Sequence, residues 1–303
     1  MKLLDVEIKC SGRGDRGEIF PLWDIHCGKY NCNELALKKE VAEIKKRDEM
    51  EGRHVRVLLG GDVLNAVNPN DVRRFDFSDM ADWLLAGNVA DVKDKLSNMT
   101  TQEADRLAEI LAPIRHLIIG ALEGGHEKTI RKRVNQDIQT ELCSKLDIPD
   151  LSDEVLIRFR FVRGDGKNSS VVTVVARHGY GSGRSAGAEP MKLKAMLDEW
   201  ICADVCISGH THTFCVLPPQ PAASVPTRGE LPAELLWRHR FALNPGCWLD
   251  SHSIGRGTYE SNSCYPARAF MTAKIVIWPF YEQRIGDKGY VSPKIEIRSY
   301  PIL

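Results

Sequence analysis

The chain has 303 residues, of which 43% are hydrophobic and 27% charged, a composition expected of a soluble globular protein with length enough for a sizeable core. Lysine plus arginine and aspartate plus glutamate number 41 each, so no global field draws the chain to nucleic acid or to a membrane. Charges at Lys2, Asp5, Glu7 and Lys9 exclude a signal-peptide core over the first ten residues, and no apolar run has the length of a membrane span. The nine cysteines are scattered, with no Cys-x-x-Cys pair. They read as small buried hydrophobes in a reducing compartment, and the expected location is cytoplasmic.

Residues 3–9 alternate as a strand, and 17–23 form a second strand that leads into Asp24-Ile25-His26. A helical pattern spans 34–50, with Leu35, Leu37, Val41 and Ile44 as its apolar members, and Gly52 ends it. Residues 54–59 are a compact apolar run opening onto Gly60-Gly61-Asp62, the pattern of a buried strand that ends in a loop. Over 71–98 one helix is expected, around 80–85. Thr100 and Glu103 form a capping-box pattern for a helix ending near Pro113. Residues 114–122 are the next strand, which empties into Glu123-Gly124-Gly125-His126-Glu127. A polar, basic helix follows over 128–146, its Arg131-Lys132-Arg133 run reading as a solvated face.

Residues 155–162 and 170–176 flank Gly164-Asp165-Gly166 as a hairpin, and the second strand ends at Arg177-His178-Gly179. A glycine-rich loop over 179–187 and a helix over 190–202 come next. The apolar run 203–207 then delivers Gly209-His210-Thr211-His212. The stretch 217–234 holds five of the fifteen prolines and no periodicity; it is expected to be an irregular surface loop near the site. Strands are expected over 241–248, 269–281 and 294–300. With no internal repeat and no strong boundary, residues 1–303 read as one α/β layered domain with two sheets between helices.

Five expected strand ends repeat one arrangement, an apolar run followed by polar residues beside glycine: Asp24/His26, Asp62, His126, His178 and His210/His212. In an extended chain residues i and i+2 point to one side, so His210 and His212 can converge. Ligand sites of layered α/β proteins gather beyond the carboxyl ends of strands. Two carboxylates and five imidazoles brought together there cannot be an apolar core, because each buried polar group needs a partner. Such a donor set suits zinc, iron, manganese or nickel. His54, His116, His239 and His252 lack this setting and read as structural or surface residues.

The series Asp24-x-His26, Gly61-Asp62, Gly124-Gly125-His126-Glu127, His178 and Gly209-His210-Thr211-His212 resembles the calcineurin-like metallophosphoesterase superfamily, over about residues 20–215. The short Gly-His-Glu before a basic helix is similar to small phage or bacterial members. The resemblance implies a four-layer α/β/β/α sandwich with two mixed β-sheets. It implies a metal-dependent phosphoesterase that hydrolyses phosphodiester or phosphomonoester bonds with a metal-activated hydroxide at a dinuclear centre. The cofactors would be two divalent transition-metal ions (manganese, iron, zinc or nickel). Asp24, His26 and His212 would hold the first, Asp62 would bridge, and His178 and His210 would hold the second. His126 would be a phosphate-oxygen donor or general acid, which makes His126 and Asp62 the catalytic residues.

The family has asparagine where this chain has Gly125, so the second ion is expected to be the weaker, completed by water or by Glu123 or Glu127. The expected partner is a phosphate-ester substrate, with no membrane. One alternative is a nuclease acting on DNA or RNA, with Arg131 to Arg133, Arg184, Arg238 and Arg240 lining a basic groove. An alternative of another class is a catalytically weak metal-binding interaction module.

Overall fold

Apolar alternation sorts the strands into two sheets. In a computed structural model, residues 1–69, 75–164, 168–181, 187–224, 236–250, 270–285 and 288–302 are described. The elements in chain order are β1 (Lys2–Cys10), β2 (Arg16–Leu22), α1 (Glu34–Asp48), β3 (Arg53–Leu59), α2 (Asp82–Leu85), α3 (Val89–Ser97) and α4 (Met99–Leu111). Next come β4 (Ile118–Ala121), α5 (Gly125–Val134), α6 (Ile138–Leu146), β5 (Glu154–Arg163), β6 (Asn168–Arg177), α7 (Ala188–Glu199) and β7 (Val205–Ser208). The chain closes with β8 (Cys215–Val216), β9 (Gln220–Ser224), β10 (Leu236–Asn244), β11 (Met271–Ile285) and β12 (Lys288–Pro301). One sheet runs β1-β5-β6-β7-β10-β8, with β9 also on β10; the other runs β12-β11-β2-β3-β4. Both are mixed: β6/β7 and β2/β3 are parallel, whereas β5/β6 and β11/β12 are antiparallel.

Successive residues of a strand face opposite sides, and the buried clusters divide accordingly. Ile19, Leu58, Ile157, Phe159, Val174 and Ile207 meet between the two sheets. From the same strand as Leu58, Val57 and Leu59 turn outward and pack under α1, α4, α5 and α6. On the far side Val175 and Cys206 pack under Leu193, Met196 and Leu197 of α7. The layers are therefore helix, sheet, sheet, helix, as the motif series led one to expect. A strand covered on both faces reads as a continuous apolar run, which is why 54–59 was conspicuous in the sequence.

Several local expectations are corrected. Leu35 is not on the apolar face of α1; it is exposed. Thr100 and Glu103 do not cap a helix: α4 already begins at Met99, and both residues are buried within it. The capping box lies one helix earlier, where Asn88 and Asp91 close the start of α3, a helix the sequence pattern did not show. The expected helix over 128–146 is two helices. Asn135 breaks it in the left-handed region (φ 57°), and the Asp137 side chain restarts it by accepting the Thr140 amide. Only Ile118–Ala121 of the strand expected over 114–122 is extended, because a 3-10 turn containing Pro113 occupies Ala112–Leu117. Within the stretch expected to be irregular, Gln220–Ser224 pairs with β10. Residues 225–235 and 182–186 lie outside the described residues.

Candidate metal centre

All five expected strand ends meet at one place, and six of their side chains fall into two groups of three. In each group the candidate ligand atoms lie within 4.8 Å of one another. In the first, His26 Nε2 is 3.0 Å from His212 Nε2, and His212 Nε2 is 3.7 Å from Asp24 Oδ1. In the second, His178 Nε2 is 3.1 Å from both Asp62 Oδ2 and His210 Nδ1, and His210 Nδ1 is 3.9 Å from Asp62 Oδ2. The groups are joined. Asp24 Oδ2 accepts the amide of His210 at 2.8 Å. His126 donates its amide to Asp62 Oδ1 at 2.8 Å, and its ring stands edge-on to His26 at 4.8 Å.

The donors fit a cation. Two nitrogens each about 2.0–2.1 Å from one tetrahedral ion lie roughly 3.3 Å apart, close to the two imidazole separations found. Asp24 is fully buried, yet its Oδ1, which faces His212, has no hydrogen-bond partner among the described residues. A buried carboxylate oxygen without a donor is costly unless a cation satisfies it. Asp24, His26, Asp62 and His178 form a buried floor, while the His210 and His212 side chains keep 35% and 17% exposure. Solvent can reach the pair from that rim.

The backbone beneath is strained and then tied down. Asp24, His26, Asp62, His210 and His212 all have positive φ, between 47° and 72°, a region that non-glycine residues occupy at a cost, aspartate and histidine more readily than most. The loops hold one another: the Asp24 amide donates to Gly61 O (3.2 Å), His26 to Asp62 O (3.0 Å) and Gly209 to His178 O (2.7 Å). Trp23, buried and next to Asp24, wedges between the strand ends. A Cβ on Gly60 would lie 1.6 Å from its ring and one on Gly209 2.2 Å, so packing alone demands glycine at both positions.

Residues that the motif reading left without a structural role complete the frame. Glu127, fully buried, accepts the amides of Asp62, Leu64 and Gly124, each at 3.1 Å, and clamps the β3 and β4 loops together. Glu123 forms a two-point pair with Arg131 at 2.9 and 2.6 Å. Both glutamates are thus committed to backbone amides and to Arg131. Thr211, Glu189 and Asn244 form a buried network under the two rim histidines, with bonds of 2.7, 2.9 and 3.0 Å. Glu127 was detectable beside its motif. Glu189 and Asn244 carry no sequence signal, since they reach the site from remote segments.

Two candidate metal-ligand clusters share one wall.

No protein-family profile matches the sequence, and a search of curated proteins finds no relative. Among solved structures, the chain is similar to a predicted phosphoesterase from Streptococcus pneumoniae TIGR4, at 13% identity over 93% of this chain and 98% of that one, with a TM-score of 0.31. It is similar to Vacuolar Protein Sorting 29 from Cryptosporidium parvum, at 11% identity over 95% and 99%, TM-score 0.38. It is also similar to Vps29 of Entamoeba histolytica complexed with zinc, at 14% identity over 64% and 86%, TM-score 0.22. Likenesses so distant carry no weight on function, which is read from the ligand clusters.

Tautomers and charges in the two clusters follow from their partners. His178 commits Nδ1 to the Gly60 carbonyl at 3.0 Å, which turns Nε2 to the cluster. His126 commits Nδ1 to the Asn65 carbonyl, so Nε2 is its basic nitrogen. Burial opposes ionisation of Asp62, but the charges of His178 and His126 win and hold its carboxyl well below the usual range. Burial likewise opposes charge on His178, and Asp62 overcomes it, raising the imidazole to about 10. His26 is pushed well down by burial and by His126 and His212, which leaves the neutral imidazole that a metal requires. Burial pushes Asp24 up. The arginines considered for a basic groove are largely engaged: Arg131 by Glu123, Arg238 by Asp204 at 3.2 Å, and Arg240 by the Leu197 carbonyl at 2.9 Å. Arg184 lies outside the described residues.

Proposed function

We propose that the chain is a metal-dependent phosphoric ester hydrolase acting on phosphodiester or phosphomonoester bonds. The observation that supports it is the convergence of Asp24-His26-His212 and Asp62-His178-His210 with His126 against their shared wall. A structural metal site closes its coordination with four protein ligands, whereas catalytic sites keep three and an open position. Imidazole and carboxylate donors suit manganese, iron, zinc or nickel, and manganese is the metal to test first. When bound, a pair of such ions clamps a phosphoryl group and supplies a nucleophile at neutral pH. Asp24, His26 and His212 would hold one ion. Asp62, His178 and His210 would hold the other, with Asp62 reaching toward both. His126 stands within reach of the same space, its ring oriented by the Asn65 carbonyl, and serves as proton donor to the leaving oxygen or as a hydrogen-bond donor to phosphate. The engaged arginines favour a general mono- or diesterase over a nucleic-acid specialist. The eight described cysteines are all free, which fits the cytoplasm.

Purified protein should be stripped with chelator, checked by elemental analysis, and offered chromogenic mono- and diesters, single-stranded DNA and cyclic nucleotides with and without manganese. Hydrolysis that disappears on stripping and returns with manganese is the expected result. Full activity in verified metal-free protein would overturn the metal dependence. Two bound equivalents with no hydrolysis of any ester would establish the metal-binding module in place of the enzyme.

A further inference from the structure

A third group of metal-ligating side chains lies at the opposite end of the strands. Cys10 closes β1 in the larger sheet, Asp15 sits in the connection to β2, and His54 is the second residue of β3 in the smaller sheet. Their ligand atoms lie within 4.8 Å of one another. Asp15 precedes β2 and Asp24 follows it, so a strand rising about 3.3 Å per residue sets the group roughly 25 Å from the Asp/His centre. It is therefore a separate site.

We propose that Cys10, Asp15 and His54 bind one thiophilic divalent ion of the zinc class between strand ends of the two sheets, with three protein ligands and the remaining coordination position open to solvent. Cys10 and Asp15 are 4% and 6% exposed, while the His54 side chain is 24% exposed and gives a route in from solvent. Among the described residues the Cys10 thiol makes no hydrogen bond, and no disulfide uses it. Asp15 is already oriented: its Oδ2 accepts the Ser11 amide at 2.7 Å and the Ser11 hydroxyl at 3.1 Å, and stands 3.1 Å from His54 Nε2. Metal-ligating carboxylates are held by such outer bonds. Its Oδ1 lies between two glycines, where a Cβ on Gly12 or Gly52 would come within 3.5 or 3.4 Å.

Zinc takes sulfur at about 2.3 Å, imidazole nitrogen at about 2.0–2.1 Å and carboxylate oxygen at about 2.0–2.2 Å, so closure on an ion needs a thiol movement of roughly 1 Å. The arginines adjoining these residues in sequence are paired elsewhere: Arg16 and Arg53 with Glu18 at 3.1 and 2.5 Å, and Arg13 with Glu282 at 3.8 Å. Thiolate with imidazole selects zinc over magnesium, calcium or manganese. Burial and then Asp15 push the thiol up to about 11, a state that a bound cation reverses by deprotonating it.

Cobalt(II) titration of the stripped full chain tests this independently of the Asp/His centre, which contains no thiolate. A near-ultraviolet thiolate-to-cobalt charge-transfer band should appear in the wild type and persist in His212→Ala. It should be lost in Cys10→Ser and in His54→Ala, each binding one equivalent fewer of zinc. His54→Ala alters a partly exposed residue and serves if Cys10→Ser does not fold. Absence of the band in folded wild type at saturating cobalt would overturn the proposal. So would a band that survives both variants, since its thiolate would then belong to another cysteine.

Discussion

Under the proposed hydrolysis, His126 is the residue whose loss would separate turnover from metal binding. It touches the wall of both clusters through Asp62 and His26 but belongs to neither ligand group. His126→Ala should slow ester hydrolysis by roughly 10²–10⁴-fold while metal content, read by elemental analysis, stays near wild type. Loss of most metal would instead make it a ligand. Gly125 sets a second test. A Cβ built there comes no nearer than 3.9 and 4.0 Å to the Asp62 carboxylate oxygens and meets nothing else, so a side chain fits and points at the second cluster. Gly125→Asn should therefore move metal binding, and with it the proposed hydrolysis, to lower concentration, measured by titrating manganese into stripped protein. Unchanged or poorer metal binding would show that the cluster is complete without the amide.

At the scale of elements, the strand ends are locked by packing and by buried charge. Gly60→Ala would push a methyl into Trp23, and overpacking of this kind costs about 1–3 kcal/mol or more. Because Trp23 leads directly into Asp24, the variant should lose both melting temperature and first-cluster metal; a melt and a metal assay read the two together. Glu18 on β2, 1% exposed, gathers Arg16, Arg47, Arg53 and Lys274 within 3.3 Å. Burial opposes its charge, yet Lys274, Arg53 and Arg47 hold the carboxyl below its ordinary 4.5. A depressed acid contributes stability that is present above its unfolded value and is lost as pH falls through the folded one. Stability should thus decline below about pH 4.5. Glu18→Gln should flatten that part of the decline while costing about 3–5 kcal/mol at neutral pH, because it strands buried cations. Urea midpoints measured across pH decide it.

For the whole molecule, the clusters join the two sheets: Asp24, His26 and Asp62 follow strands of the smaller sheet, and His178, His210 and His212 follow strands of the larger. A metal bound across that seam stabilises only the folded chain. At free metal about 100-fold above Kd the linkage is about 2.7 kcal/mol, or about 4 °C in Tm for a chain of 303 residues. Scanning calorimetry with and without chelator should show that loss, and identical melts would mean that no ion bridges the seam.

The sequence by itself determined the alternating elements, because strands buried on both faces and amphipathic helices leave periodic traces that need no partner to be read. It also carried the six candidate ligands and His126, since they cluster at the ends of apolar runs, with glycine adjacent to Asp62, His126, His178 and His210. What it could not carry is anything that depends on two distant segments meeting. Glu103 illustrates this: its spacing from Thr100 suggested a cap, but α4 turns it inward to accept the Ala66 amide at 2.7 Å. Glu127 as a clamp, Glu189 and Asn244 beneath the rim, and the Cys10-Asp15-His54 group are likewise set by long-range packing. So is the left-handed backbone at five of the six ligands. Local propensity disfavours that conformation, and only loops already held by their neighbours can maintain it.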